Sequence, residues 1–458
     1  IDSSTQSVKV VVRDAYTGEL VREARAAHPE GTEVDPRAWW SALESILPQT
    51  LEGVSALSVA GQQHGMVALD SQKEVVRDAL LWNDTRSAQA AENLVQELGG
   101  PSAWSTAVGS VPVAAFTVSK LKWMAQHEPE NAKRTDSVLL PHDYLTWLLA
   151  GKPTDPTTDR GDASGTGYWS PISGEYRTDL VELAIGHTLS LPRVAGPSEI
   201  VGTAIGIGRP DIVIGPGTGD NMGAALALGV QPGDVVVSLG TSGTAFAGSS
   251  TPTQDSTGFV AGFADATGHF LPLVCTLNAA RILTATAAML NVDFDEFARL
   301  ALTAAPGSGG LSFIPYLDGE RTPNLPDAQG SLHGMTRTNM TPGNLARSAI
   351  EGMFGGLADA VDALTRAGAP VSRVMLIGGA AANPAVGEVA ATMFSAPVEV
   401  PPAGEYVADG AARQAAWVLT GELPHWAHSG SGRTRFFDPE YHGEIRENFR
   451  GAWERMYG

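Results

Sequence analysis

Asp220 and Asn221 stand where the glycine-rich run GPGTGDNMGAALALG (215–229) passes from a turn into an Ala/Leu-rich stretch. A carboxylate there can do two kinds of work. It can cap the helix that follows, which Asp does well. It can also act as a general base toward a poor nucleophile such as an alcohol, an effect of roughly 10²–10⁴ in rate. Capping is the ordinary explanation, so the chemical one depends on what else the chain offers.

Three further turns bear on that choice. In IDSSTQSVKVVV (1–12) Asp2 closes a strand, and Ser3, Ser4, Thr5, Gln6 and Ser7 form the bend. Backbone N–H groups in such a bend can hold phosphate oxygens, and a carboxylate at the strand end can hold a hydrated Mg²⁺. VVVSLGTSGTAFAG (235–248) repeats the arrangement with Gly240, Thr241, Ser242, Gly243 and Thr244. Aligning Thr5 with Thr241 sets Ser4 against Gly240, and a separation of about half the chain points to a duplicated domain. Two such turns facing each other would grip a triphosphate. In IGGAAANP (377–384) Gly378 and Gly379 let a flat ring lie against the backbone, with Asn383 placed to hydrogen-bond it. Each turn taken alone reads as structural; their joint occurrence and order carry the signal. No GxxxxGK[ST] phosphate loop occurs.

The elements that must position these turns alternate. Hairpins are expected at both hydroxyl-rich bends. Asp35 and Pro36 signal a helix carrying Trp39, Trp40, Leu43 and Ile46. ALSVAGQQHGMVALD holds two short apolar segments around a polar centre. Helices are expected from about Thr85 to Gly99 and from Pro342 to Gly368, and VSRVMLIGGAAANPAVGEVAATMF reads as buried strand, glycine turn and helix. Mixed α/β architecture with two similar halves follows, with a boundary near residue 227. The charged and aromatic C-terminal stretch is expected to be a helix docking onto the body.

At 458 residues the chain is too long for one ordinary core. A formal net charge of −20 opposes binding to nucleic acid and to anionic membranes, both of which need a basic footprint. Cys275 is the one cysteine, which rules out an intrachain disulfide and fits a reducing cytoplasm. No apolar run reaches about 18 residues and no signal peptide stands out. Because the chain opens at Ile1 directly on a polar turn, its true start is expected to lie upstream.

In this order and spacing the four turns resemble the phosphate, second phosphate, catalytic-Asp and adenosine motifs of the FGGY carbohydrate kinases, a family similar in fold to hexokinase, actin and the heat-shock ATPases. GQQHGM (61–66), LLWNDTR (80–86), LLPHDYL (139–145), DASGT (162–166), GTGDN (217–221) and GERTP (319–323) extend the resemblance over nearly the whole chain and look most like the xylulokinase branch. The resemblance implies two similar ribonuclease H-like domains around a central cleft. Residues 1–227 would bind sugar and carry the catalytic Asp, and residues 228–458 would bind ATP. It implies transfer of the γ-phosphate of MgATP to O5 of D-xylulose. Kinases of the same fold acting on ribulose, gluconate, glycerol or a pentitol remain alternatives, as do an actin-like nucleotide switch and a sugar-sensing regulator.

Residue by residue, the same resemblance makes Asp220 the base and a sugar contact, with Asn221, Gln63 and His64 binding sugar hydroxyls. Asp2 would organise Mg²⁺ through water. Thr5, Gly240 and Thr241 would touch phosphates, and Gly378, Gly379 and Asn383 would meet adenosine. ATP and a small sugar are the expected partners, with no nucleic acid, no membrane, a homodimer as the candidate assembly, and closure of the halves on sugar binding. The pattern departs at Ser4, where many relatives have glycine, and at Gln63, where some xylulokinases carry methionine. Among the other motif residues, Asp143 reads as a helix cap or a hydrogen-bond acceptor between elements, Asn83, Asp84 and Arg86 as pocket wall or salt-bridge network, Glu320 and Arg321 as loop ties, and Cys275 as packing.

Overall fold

The computed structural model describes residues 1–426 and 432–458. The chain forms two compact units. Unit 1 comprises Ile1–Val230, Ser250–Leu271 and Glu405–Ser429; unit 2 comprises Gln231–Ser249, Pro272–Gly404 and Gly430–Gly458.

In unit 1 the apolar alternation of SVKVVVR builds a sheet from β1 (Asp2–Ser3), β2 (Ser7–Arg13), β3 (Leu20–Ala27), β4 (Ala60–Gly61) and β5 (Thr218–Gly219). The order is β5-β4-β1-β2-β3. β1, β2 and β3 form an antiparallel meander, whereas β4 runs parallel to both β1 and β5. Val8 and Val10 of β2 meet Trp39 and Leu43 in the core. Those two project from the Pro36–Ile46 helix, which begins as expected: Pro36 takes the first turn and the Asp35 carboxylate accepts the Arg37 N–H at 2.9 Å.

Unit 2 repeats the plan with β6 (Asp234–Leu239), β7 (Gly243–Ala247), β8 (Phe270–Thr276), β9 (Arg373–Ile377) and β10 (Val398–Val400). Its strands run β10-β9-β6-β7-β8, with β6 antiparallel to β7, β7 antiparallel to β8, and β6, β9 and β10 parallel. Position by position this is the order of unit 1. The duplication inferred from the two hydroxyl-rich bends is therefore a duplication of topology. β11 (Arg435–Phe437) adds an antiparallel edge beside β10.

The expected helices form as Ala88–Glu97, Pro342–Arg366, Pro384–Met393 and, at the C-terminus, Gly443–Tyr457. The units are not simple halves of the chain. The Tyr406–Thr420 helix, which a linear division at 227/228 assigns to the second domain, packs into unit 1. Its Gly410 lies against the Gly223 carbonyl so closely that a Cβ has no room. Arg413 Nη1 donates to the Leu226 carbonyl at 2.6 Å, and Asp409 pairs with Arg13 Nε at 2.5 Å. These bonds fix the helix that Asp220 begins.

Candidate active site

Ligands of open sheets with parallel strands bind beyond the carboxyl ends of those strands. β1, β4 and β5 end side by side, so Ser4–Thr5, Gln62–His64 and Asp220–Asn221 emerge together. Glycine at 219 is a steric requirement there. A Cβ on it would stand 2.7 Å from Asp162 Oδ1 and 2.8 Å from Gln63 Cγ.

Asp220 is the first helical residue, and Gly219 occupies the cap position. The half-buried Asp220 carboxylate accepts the Asn221 N–H at 2.7 Å and its side-chain Nδ2–H at 2.9 Å. Asn221 Nδ2 also approaches Gln63 Oε1 at 3.4 Å. Three sequence-predicted site residues are thus joined. Burial pushes the Asp220 carboxyl up to about 7, with repulsion from Asp2 adding to it and the Asn221 hydrogen bonds opposing. A carboxylate titrating there accepts a proton readily near neutral pH.

His64 is buried in a left-handed conformation, φ 65°. For a residue with a Cβ this costs about 1–3 kcal/mol and persists only where the surroundings enforce it. Nδ1 lies 2.6 Å from the Gly165 carbonyl, which can only accept, so Nδ1 carries the hydrogen. The ring stacks on Phe116 at 4.9 Å. Asp2 is also buried; the Ser4 hydroxyl donates to its carboxylate, and burial raises the Asp2 carboxyl. Thr5 Oγ1 donates to Gln62 Oε1 at 3.2 Å and accepts from Trp82 Nε1 at 2.8 Å. This chain ties the first turn to the WNDTR segment. The rest of that segment is an ion-pair network: Arg86 binds Asp84 at 2.8 Å and Glu33 at 2.7 Å, and its guanidinium covers the Trp123 ring.

One cluster escaped sequence reading except as motif strings. His142 Nδ1 lies 3.0 Å from both Asp143 Oδ1 and Asp162 Oδ2, and Nε2 lies 3.4 Å from Asp159 Oδ1, all of them buried. His142, Asp159 and Asp162 are close enough together to hold a metal ion. Asp143 also does the expected capping, accepting the Leu140 N–H at 2.8 Å. Asp159 caps the Arg160–Ser164 helix through Gly161 N and Asp162 N. Burial pushes Asp143 up to about 7 and Asp159 up to about 6; it raises Asp162 well above the usual range, with repulsion from Asp220 adding to it.

In unit 2 the Gly240–Thr241–Ser242 turn links β6 to β7, and its Gly240 carbonyl accepts the Ala280 N–H at 2.9 Å. β9 ends alongside, with Ile377 paired to Ser238. Gly378 then takes φ 89°, and a Cβ there would stand 2.7 Å from the Leu239 carbonyl oxygen. Two of the predicted nucleotide turns therefore end neighbouring parallel strands, and Gly379 has open space where a Cβ would be. Asn383, at the end of the turn that Gly379 begins, caps the Pro384–Met393 helix. Its Oδ1 accepts the Ala385 N–H at 3.0 Å, and Nδ2 approaches the Phe294 carbonyl at 3.4 Å. Glu320 ties its loop as expected, accepting from Leu277 N at 2.5 Å and Asn278 Nδ2 at 3.0 Å.

Comparison with known proteins places the chain in a family. The N-terminal domain model of the FGGY family of carbohydrate kinases matches residues 1–227, and the C-terminal domain model matches 235–419. The chain belongs to the FGGY family of carbohydrate kinases. Among FGGY relatives, a xylulose kinase of Streptomyces coelicolor is 46% identical over 92% of this chain and 88% of its own length. A xylulose kinase of Escherichia coli is 33% identical over 83% of this chain and 81% of its own. The crystal structure of xylulose kinase from Bifidobacterium adolescentis is similar with a TM-score of 0.90 at 45% identity, covering 98% of each chain. FGGY membership makes ATP the phosphoryl donor and a carbohydrate the acceptor. Among the described residues no helix is long and apolar enough to cross a membrane.

Proposed function

We propose that the enzyme phosphorylates D-xylulose at O5, giving D-xylulose 5-phosphate and ADP. The observation that carries the chemistry is Asp220, a carboxyl pushed up to about 7 at a strand end and linked through Asn221 to Gln63. In this reading Asp220 takes the hydroxyl proton as the oxygen attacks, while Asn221, Gln63 and His64 hold the remaining hydroxyls of the open-chain ketose. Thr5, Gly240 and Thr241 contact the phosphates, and Gly378, Gly379 and Asn383 meet adenosine. The choice of xylulose is supported by relatives named xylulose kinase at 46% and 33% identity and by a solved one at 45%. A gluconate kinase and a glycerol kinase share the fold at 21% and 18% identity, which argues for architecture alone.

Phosphoryl transfer leaves little covalent work to the protein and depends on alignment and neutralised charge. The buried oxygen donor of Asp2 fits Mg²⁺ held through water, and its raised carboxyl is the state that a neighbouring cation would relieve. When bound, Mg²⁺ would neutralise charge on the phosphate oxygens. We place the reaction in the cytoplasm, consistent with the single Cys275.

A coupled ADP assay over D-xylulose, D-ribulose, D-gluconate, glycerol and pentitols tests the assignment. The highest kcat/KM is expected for D-xylulose, and a clearly higher value for another acceptor would overturn it. ATP hydrolysis indifferent to sugar would instead favour a nucleotide switch.

A further inference from the structure

Lys120 is fully buried on the Thr117–His127 helix. Its Nζ donates to the His64 carbonyl at 2.8 Å and to the Ala115 carbonyl at 2.5 Å. Burying an ammonium is unfavourable unless its hydrogens and charge are met. A methionine would fill similar space without that penalty, so packing alone does not account for a lysine.

The two carbonyls belong to separate segments, the Gln63–Gly65 turn and the stretch leading into the helix. The first is the strained one, since His64 sits at φ 65°. Its carbonyl also accepts from Thr117 Oγ1 at 3.3 Å. Phe116, next to Ala115, stacks on the His64 ring, and the Gly165 carbonyl holds Nδ1. Backbone and ring of His64 are therefore held from three directions. The ammonium bond to its carbonyl is shorter than that from Thr117.

We propose that Lys120 is a positioning residue for sugar recognition. Its ammonium holds the His64 carbonyl and so keeps His64 left-handed at the centre of the 63–65 turn, which sets where the His64 ring and the Gln63 carboxamide point. The inference rests on the reading that these two side chains contact the ketose. Without the ammonium the turn relaxes toward ordinary backbone and the sugar contacts drift. The nucleotide turns at Gly240 and Gly378 lie in unit 2 and keep their geometry.

The test uses full-length enzyme at 25 °C, with steady-state kinetics and calorimetric titration of D-xylulose without ATP. Lys120→Met is expected to raise KM for D-xylulose at least tenfold while KM for ATP stays within twofold. The calorimetric Kd should weaken by a similar factor. Thr117→Val should give a smaller loss of about two- to fivefold in the same parameter. Because Lys120 acts on sugar through the turn that carries His64 and Gln63, adding Lys120→Met to His64→Ala should cost less than the same change costs the parent, since only the Gln63 contact is left to lose. A folded Lys120→Met enzyme that binds D-xylulose within twofold of the parent would overturn the proposal, as would full additivity with His64→Ala. Should Lys120→Met fail to fold, an unchanged xylulose KM in Thr117→Val overturns it. If His64→Ala itself leaves sugar affinity intact, the sugar-site reading is what fails; an impaired His64→Ala beside an unimpaired Lys120→Met removes the Lys120 inference alone.

Discussion

Asp220→Asn should make the protein inactive and, at pH 8, more stable. Raising a carboxyl from 3.8 to about 7 corresponds to about 4 kcal/mol between its two protonation states. Because the folded-state value lies above the unfolded one, the folded protein keeps a proton that the unfolded chain has already lost. Stability therefore falls as pH rises from about 4 to about 7, and the whole penalty is present above 7. Asp220 is half-buried, so solvent screens part of it, and about 1–2 kcal/mol is the expected gain from asparagine. The carboxamide would keep the shape and an oxygen to accept the Asn221 N–H. For a folding unit of this size the gain should raise the thermal midpoint by roughly 2–6 °C. The assay is thermal unfolding of parent and variant at pH 8 and at pH 5, where only about two-fifths of the difference should remain. A variant less stable than the parent at pH 8, or equally stabilised at both pH values, would refute the claim that burial raises this carboxyl.

Two further outcomes follow from the geometry. Gly378→Ala places a Cβ 2.7 Å from the Leu239 carbonyl oxygen at φ 89°; this should cost unit 2 about 1–3 kcal/mol and raise KM for ATP about tenfold or more. Kinetics showing normal ATP affinity would remove Gly378 from the nucleotide turn. In free enzyme, kcat/KM for the sugar should fall tenfold per pH unit below about 7, where Asp220 becomes protonated. An acid limb near pH 4 would mean an ordinary, solvated carboxylate.

The hairpins, the glycine turns and their repetition were legible because each depends on a local rule. Hydroxyl-rich bends between β-prone runs make hairpins, and the same strand order recurs around Asp2 and around Leu239. The helix that starts at Asp220 was legible but not its cap, because a Gly-Asp step reads the same whether Gly219 or Asp220 occupies that position. What stayed hidden depends on residues that meet only in three dimensions. Gly410 reads as a poor helix residue until it meets the Gly223 carbonyl, and that contact brings Tyr406–Thr420 into unit 1. His142 lies on a different segment from Asp159 and Asp162, and the three form one buried cluster only once folded. Lys120 looks like a surface lysine on an amphipathic helix, and only burial exposes its bond to His64. Asn383 was read as a ring contact, and its role as the cap of the following helix shows only in the folded chain.

The most direct measurement is sugar-dependent ADP formation by Asp220→Ala beside a titration of ATP binding in the same preparation. Turnover with D-xylulose should drop at least 10²-fold, the low end of what a positioned base contributes, while ATP binds within about twofold of the parent. Substantial turnover in that variant, with the sugar still required, would contradict Asp220 as the base.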